Sequence, residues 1–146
     1  MIFTDNKFYF EYKFITTFEE TNLIGNVYFA NYAIWQGRCR EIFLYEFCPD
    51  VIEEIKNGLL LVTLDMNITF LNQTFVLEKI LMRMSIDAKS DTSLLMKFDY
   101  YKEENDRLNI VANGLQTIVA MKSINDKMVT VNLPHSLLSF MENYYN

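Results

Sequence analysis

Hydrophobic and polar residues alternate along residues 8–17, and this pattern predicts a β-strand. Aromatic side chains occupy one face of that strand: Phe8, Phe10, Tyr12 and Phe14. Four later segments also have the composition of strands, approximately residues 59–71, 75–88, 93–103 and 108–122. Short turn-rich pieces separate the last three of them, so we expect antiparallel neighbours joined by hairpins.

A helical pattern lies between the first strand and the later ones. The loop 19–26 contains Gly25 and two asparagines, which tolerate unusual backbone angles, and a helix is expected from there to about Phe47, before Pro49. Apolar and small side chains cover most of its circumference, which predicts a helix enclosed by other structure. A short helical turn at 50–56 and a terminal helix beginning near His135 complete the predicted elements.

One long helix and about five strands predict an α+β domain in which a curved antiparallel sheet wraps the helix. A chain of 146 residues is the size of a single domain, residues 1–146. Hydrophobic residues make up 51% of the chain, enough for a dense interior and at least one apolar face that pairs with another subunit. We therefore expect a homo-oligomer, either a dimer or a dimer of dimers.

Composition and charge exclude several functions. A net charge of −6 without a basic cluster argues against nucleic acid as a ligand. The longest apolar run, residues 59–64, is too short to cross a bilayer, and Asp5 and Lys7 stand where a signal peptide needs an apolar region. We expect a cytoplasmic protein without a membrane partner.

The small number of potential metal ligands and the absence of three common functional motifs exclude further kinds of chemistry. The chain has one histidine and two cysteines, and Cys39 and Cys48 flank the apolar helix, where reduced thiols pack as small hydrophobes. We expect neither a metal nor a cofactor. The sequence also lacks a Gly-x-Ser-x-Gly elbow, a P-loop and a Gly-x-Gly-x-x-Gly motif.

The junction between the loop and the long helix concentrates the candidate chemistry. It reads Glu20-Thr21-Asn22, then Gly25-Asn26-Val27-Tyr28-Phe29, then Tyr32, then Trp35-Gln36-Gly37-Arg38-Cys39-Arg40. These motifs resemble the signature of hotdog-fold thioesterases of the 4-hydroxybenzoyl-CoA thioesterase type. They are most similar to the subgroup that releases polyketide chains from enediyne-type synthases. The resemblance implies the hotdog fold and cleavage of an acyl thioester without a covalent nucleophile.

The same resemblance implies that Asn22, Tyr32 and Arg40 form the catalytic set. Hydroxybenzoyl-CoA thioesterases usually have an aspartate where Asn22 stands, whereas the enediyne-type subgroup shares the asparagine. A neutral amide can hold a water molecule or polarise a carbonyl, and an arginine is a fixed cation suited to an oxyanion. Tyr32 can donate a hydrogen bond to the same oxygen. Without the motif, all three residues also have ordinary loop, capping or interface roles.

Further site residues surround the start of the helix, where backbone N–H groups lack intrahelical acceptors. By resemblance these are the oxyanion-hole and substrate-binding residues Gly25, Val27, Tyr28 and Phe29. Gly25 is also explained by a backbone angle alone. Glu41 is the alternative general base, although its position beside Arg40 equally suits an ion pair or a solvated side chain.

The resemblance implies a substrate of long, unsaturated β-keto acyl type on the acyl carrier protein of an enediyne-type polyketide synthase. Hydrolysis would give a β-keto acid that can lose CO₂ and leave a methyl ketone. Two alternatives stay open at this point. One is an acyl-CoA thioesterase of primary metabolism, and the other is a non-catalytic hotdog protein that only binds acyl thioesters.

Overall fold

The computed structural model describes residues 2–4 and 7–145, with side chains from residue 7 onward. Residues 1, 5, 6 and 146 of the predicted domain lie outside the described residues. The elements in chain order are β1 (Ile2–Thr4), β2 (Lys7–Ile15), α1 (Ala30–Phe47), α2 (Asp50–Lys56), β3 (Leu60–Phe70), β4 (Lys79–Lys89), β5 (Ser93–Glu104), β6 (Arg107–Ile124), β7 (Lys127–Thr130) and α3 (His135–Tyr144).

The strands form one antiparallel sheet in the order β1-β2-β4-β5-β6-β3, and β7 pairs with β6. The sheet curls around α1, which confirms the predicted α+β hotdog fold. Strand β3 lies at one end of this order, so one of its sides is paired with β6 and the other is an open edge. The two shortest strands, β1 and β7, were not predicted.

The core lies between the concave face of the sheet and α1. Alternating residues of β4 and β5 point inward, and the methionines Met82, Met84 and Met96 are all at most 1% exposed. The helix contributes Trp35 and Cys39, which are fully buried. Burial of this apolar surface is the main stabilising contribution to the fold.

Helix α1 is enclosed on one side only, which corrects the prediction of a helix surrounded by structure. Its opposite side carries an exposed stripe of four residues spaced at helical intervals: Ile34, Arg38, Glu41 and Tyr45. The apolar members are prominent, with Ile34 55% and Tyr45 73% exposed. The apolar residues that suggested full enclosure therefore include a surface that a single chain leaves uncovered.

The segment 75–78 is a loop, whereas the sequence pattern predicts the start of a strand there. Leu77 has a φ of +60°, in the left-handed region, which interrupts extended structure. Buried Thr16 holds the loop in place, because its hydroxyl donates to the Phe75 carbonyl at 2.6 Å and accepts the Glu78 N–H at 3.0 Å. The strand consequently begins at Lys79.

The predictions for the two cysteines and for the start of the terminal helix are confirmed. Cys39 and Cys48 are free and buried, and burial raises the pKa of both thiols, that of Cys48 to about 12. They are therefore unreactive packing groups. His135 is the exposed first residue of α3. No helix among residues 2–4 and 7–145 is long and apolar enough to span a membrane.

Candidate active site

Glu20 fixes the loop that precedes α1. It lies in a 3₁₀ turn, Phe18–Glu20, where its carboxylate accepts the Thr17 N–H at 2.8 Å and the Trp35 indole N–H at 2.7 Å. Its carbonyl accepts the Asn31 side-chain amide at 2.8 Å. Because both carboxylate oxygens are engaged by the protein, Glu20 acts as a structural link between loop and helix.

Asn22 forms a tight turn at the tip of this loop. Its N–H donates to the Asn26 carbonyl at 2.9 Å, and its side-chain Oδ1 accepts the Ile24 N–H at 3.1 Å. Gly25 completes the turn with a φ of +87°, a conformation that favours glycine. Asn22 is exposed, and its amide Nδ2 donates to none of the described residues. The turn therefore leaves a hydrogen-bond donor free at the surface.

A pocket of about 330 Å³ opens between this loop and the first turn of α1. Its walls come from the loop, the helix start and residues 70–74: Asn22, Asn26, Val27, Tyr28, Phe29, Tyr32, Phe70, Asn72, Gln73 and Thr74. These residues include four side-chain amides and no acidic or basic side chain. The pocket thus combines neutral polar groups with aromatic walls.

Tyr32 and Thr74 are buried polar residues of this pocket, at 3% and 1% exposed. The Tyr32 hydroxyl lies 2.5 Å from the Thr74 hydroxyl, in a hydrogen bond that either group can donate. Burial raises the pKa of Tyr32, and the hydrogen bond to Thr74 partly opposes that rise. The phenol therefore stays protonated at neutral pH and can serve as a hydrogen-bond donor.

Only some backbone N–H groups near the helix start are available to a ligand. Those of Val27 and Tyr28 donate to the carbonyls of Thr74 and Glu20, at 2.7 and 2.9 Å. The Phe29 N–H has no acceptor within the described part of the chain. Gly25, the fourth predicted residue, donates its N–H to the Asn22 carbonyl at 3.0 Å. The Phe29 N–H is therefore the one of the four that is free to bind an oxyanion, while Tyr28 and Phe29 also contribute side chains to the pocket wall.

Arg40 lies apart from this pocket. It is eight residues beyond Tyr32, about 12 Å along the helix axis, and its side chain is 15% exposed. Its Nη1 donates to Gln116 Oε1 at 2.9 Å and to Thr63 Oγ1 at 3.2 Å. Burial lowers the pKa of Arg40, but a guanidinium remains charged at neutral pH.

Glu41 is next to Arg40 and equally remote from the pocket. Its carboxylate lies 3.9 Å from Arg40 Nη2 and is 71% exposed, so the ion pair is loose and solvated. A single chain therefore brings together Asn22, Val27, Tyr28, Phe29 and Tyr32 but neither Arg40 nor Glu41. Gly25 shapes the turn without lining the pocket.

The structure also adds residues that the sequence analysis missed. Thr74 contacts Tyr32, and Asn26, Asn72 and Gln73 line the pocket. Their positions in loops gave no periodic signal. Among the described residues, no group of three or more histidine, cysteine, aspartate or glutamate side chains could hold a metal ion.

Comparison with solved structures identifies the class. Crystal structures of the dynemicin thioesterase, which show induced-fit and allosteric effects upon polyene binding, superpose with a TM-score of 0.88. That protein is 34% identical, over 93% of this chain and 96% of its own. The chain belongs to the hotdog-fold thioesterases, the family of the dynemicin enzyme, and is a thioester hydrolase.

More distant structures share the fold. A mutant 4-hydroxybenzoyl-CoA thioesterase complexed with 4-hydroxybenzoyl-CoA has a TM-score of 0.79 at 12% identity, over 90% of this chain and 96% of that one. A 1,4-dihydroxy-2-naphthoyl-CoA thioesterase from Synechocystis has a TM-score of 0.79 at 16% identity, over 94% of this chain and 98% of that one. No protein-family model and no curated protein sequence matches the chain.

Proposed function

We propose that this thioesterase hydrolyses a long, unsaturated β-keto acyl thioester carried by the acyl carrier protein of an enediyne-type polyketide synthase. The observation that carries the proposal is the neutral pocket at the start of α1, which Asn22 and Tyr32 line together with other amide and aromatic side chains. The 34% identity to the dynemicin thioesterase, a protein that binds a polyene, supports the substrate class.

The pocket provides the groups that a non-covalent hydrolysis needs. The thioester carbonyl oxygen accepts the Phe29 N–H and, when Thr74 donates its own proton to Tyr32, the Tyr32 hydroxyl. The Asn22 amide orients a water molecule toward the carbonyl carbon. Water adds, the C–S bond breaks, the thiol leaves with a proton, and the products are a carboxylic acid and the carrier thiol.

The absence of Arg40 from the pocket of its own chain supports a site shared by two subunits. Strand β3 has an open edge and exposed apolar side chains, with Leu60 45% and Leu64 60% exposed. Arg40 contacts Thr63 of the same strand. We propose that two copies pair along the open edge of β3, so that Arg40 of one subunit faces the pocket of the other.

The substrate is tested by measuring thiol release from one acyl chain on two carriers, an acyl carrier protein and CoA. We expect kcat/KM to be higher for the protein-bound chain. Equal or better turnover of the CoA thioester would instead identify an acyl-CoA thioesterase, and binding without thiol release would identify a non-catalytic binding protein. Mass spectrometry of the product distinguishes the β-keto acid from the methyl ketone that forms when CO₂ is lost.

A further inference from the structure

We infer that Gln116 is a positioning residue for Arg40, and that it is held by a chain of side-chain amides inside the core. This inference rests on the proposed function, in which Arg40 of one subunit faces the pocket of the other, where its positive charge would stabilise the oxyanion that forms on the thioester oxygen. Gln116 lies on the inner face of β6 and is 1% exposed. Its Oε1 accepts the Arg40 Nη1 proton at 2.9 Å.

A second buried glutamine continues the chain of amides. Gln36 of α1 is fully buried, and its Oε1 accepts from Gln116 Nε2 over a long contact of 3.5 Å. The Gln36 Nε2 in turn donates to the backbone carbonyl of Asn67 in β3, at 3.4 Å. Each of these hydrogen bonds is therefore donated in the same direction, from Arg40 to Gln116, from Gln116 to Gln36, and from Gln36 to the sheet.

This direction fixes the orientation of the Gln116 amide. An arginine only donates hydrogen bonds, so the Gln116 oxygen must face Arg40 and its nitrogen must face Gln36. Rotating the amide by half a turn would place two donors together at Arg40 and two acceptors together at Gln36. The guanidinium consequently has one preferred position against β6.

A glycine leaves the space in the core that the Gln36 amide occupies. Gly114 faces inward two positions before Gln116, and a Cβ atom there would overlap Gln36 Nε2 and lie 2.5 Å from the Asn67 carbonyl oxygen. A methyl group at residue 114 is thus incompatible with the Gln36 amide. Burying two glutamines in a mostly apolar interior is unfavourable unless their hydrogen bonds are made, and Arg40 donates one of these bonds.

The side chains that bind Arg40 do not neutralise its positive charge. Its close acceptors, Gln116 and Thr63, are both neutral, and Glu41 is exposed and 3.9 Å away. A glutamate at residue 116 would hold the guanidinium equally well but would offset its positive charge. A glutamine positions the cation and leaves its charge available to a developing oxyanion.

The experiment replaces Gln116 by methionine, which keeps an unbranched side chain of similar length without the amide. We expect Gln116→Met to lower kcat by about 10-fold or more with a smaller change in KM, because the guanidinium loses its preferred position. The melting temperature should stay within a few degrees of wild type. Ser85→Ala, which removes the hydroxyl group of a β4 residue that is 2% exposed, is the control for a buried polar group and should leave kcat unchanged.

A double-mutant cycle separates positioning from a general structural effect. In an Arg40→Ala background, Gln116→Met should cause no further loss of kcat, since Gln116 acts only through Arg40. Gln36→Met is a second variant, used also if Gln116→Met fails to fold. It should give a smaller loss that likewise disappears in the Arg40→Ala background.

The outcomes distinguish this inference from the proposed function. Normal turnover in Arg40→Ala would overturn this inference and the proposed role of Arg40, while the proposed hydrolysis would stand. A large loss in Arg40→Ala with wild-type kcat in Gln116→Met and Gln36→Met would leave the proposed function standing and overturn the positioning role. Losses that add in the double variants would also overturn it, because Gln116 would then act independently of Arg40.

Discussion

The side chain of Asn22 divides two tasks between its two polar atoms. Oδ1 accepts the Ile24 N–H and holds the turn, whereas the amide nitrogen is free to contact a ligand. An aspartate retains the first function and lacks the second. The loop geometry observed here is therefore compatible with either an asparagine or an aspartate at this position.

We predict that Asn22→Asp hydrolyses the substrate no faster than wild type. The turn should persist because a carboxylate can accept the same N–H, so the variant should fold normally. The new carboxylate would be attracted to Arg40 of the other subunit and would reduce the positive charge that faces the thioester. Steady-state kcat on one carrier-bound substrate is the measurement, and a rate above wild type would contradict a neutral catalytic site.

The two arginines on α1 should differ in effect because they lie on different sides of the helix. Two residues along a helix differ by about 200° in direction, and Arg38 is exposed while Arg40 contacts Gln116. We predict that Arg40→Ala lowers kcat by about 100-fold, the cost of losing a fixed cation at an oxyanion. Arg38→Ala should be far milder.

Both arginine variants must first be shown to be folded and oligomeric, since truncating an arginine can also remove packing. Circular dichroism and light scattering provide that control. Equal losses of kcat in the two variants would indicate a shared structural role. A normal rate in Arg40→Ala would leave Glu41 as the charged candidate on this helix.

At the scale of elements, one carboxylate joins the 3₁₀ turn to α1. Glu20 accepts hydrogen bonds from Thr17 and Trp35, whereas the neighbouring Glu19 is exposed and forms neither. We predict that Glu20→Ala lowers the free energy of unfolding by about 1–3 kcal/mol, the cost of losing partly buried hydrogen bonds to a charged group. Chemical denaturation measures this change.

Glu19→Ala is the matched control and should change the free energy of unfolding by less than about 0.5 kcal/mol. Because Glu20 holds the loop that carries Asn22, its variant should also raise KM for the acyl thioester. An equal effect of the two substitutions on stability would show that the Glu20 hydrogen bonds contribute little. A stable Glu20→Ala variant with an unchanged KM would show that the loop is held by other contacts.

Elements with a clear periodic pattern could be predicted from the sequence. The end of α1 at Phe47, the short helix 50–56 and the long strands followed from periodicity, Gly58 and Pro49. The loop at 75–78 could not be predicted, because a buried threonine far along the chain holds it and Leu77 adopts an unfavourable backbone angle. A backbone conformation that is set by tertiary contacts in this way leaves no pattern in the local sequence.

Only part of the candidate site could be predicted from the sequence, for a related reason. The motif at 20–32 is a local stretch of sequence, and Asn22, residues 26–29 and Tyr32 from it line the pocket. Arg40 belongs to the same motif, yet helical geometry carries it away from that pocket. Gln116 had one signal, a polar residue at an inward-facing position of a strand whose other inward positions are apolar or glycine.

At the scale of the whole molecule, one chain leaves apolar surfaces uncovered, and a second copy that covered them could complete the proposed site. Helix α1 exposes Ile34 and Tyr45, and the open edge of β3 exposes Leu64. Pairing two copies across these surfaces would bury apolar area and complete a strand edge in one step. The resulting two-fold symmetry would give two equivalent sites, each built from both subunits.

A shared site makes a specific prediction for mixed oligomers of two inactive variants. Asn22→Ala and Arg40→Ala should each be nearly inactive alone. When the two are unfolded together and refolded, half of the dimers should contain one copy of each, and one of their two sites would then carry both wild-type residues. We expect about a quarter of the wild-type rate per subunit.

The control for this complementation is a mixture of the same two proteins that is never unfolded, which should stay inactive as long as subunits do not exchange. A second control mixes Asn22→Ala with Tyr32→Phe, since both residues line the pocket of one chain. That mixture contains no site with both residues intact, so it should not recover. If Asn22→Ala and Arg40→Ala mixtures also fail to recover, although mass spectrometry detects the mixed dimers, Asn22 and Arg40 act within one chain and the two-subunit site is wrong.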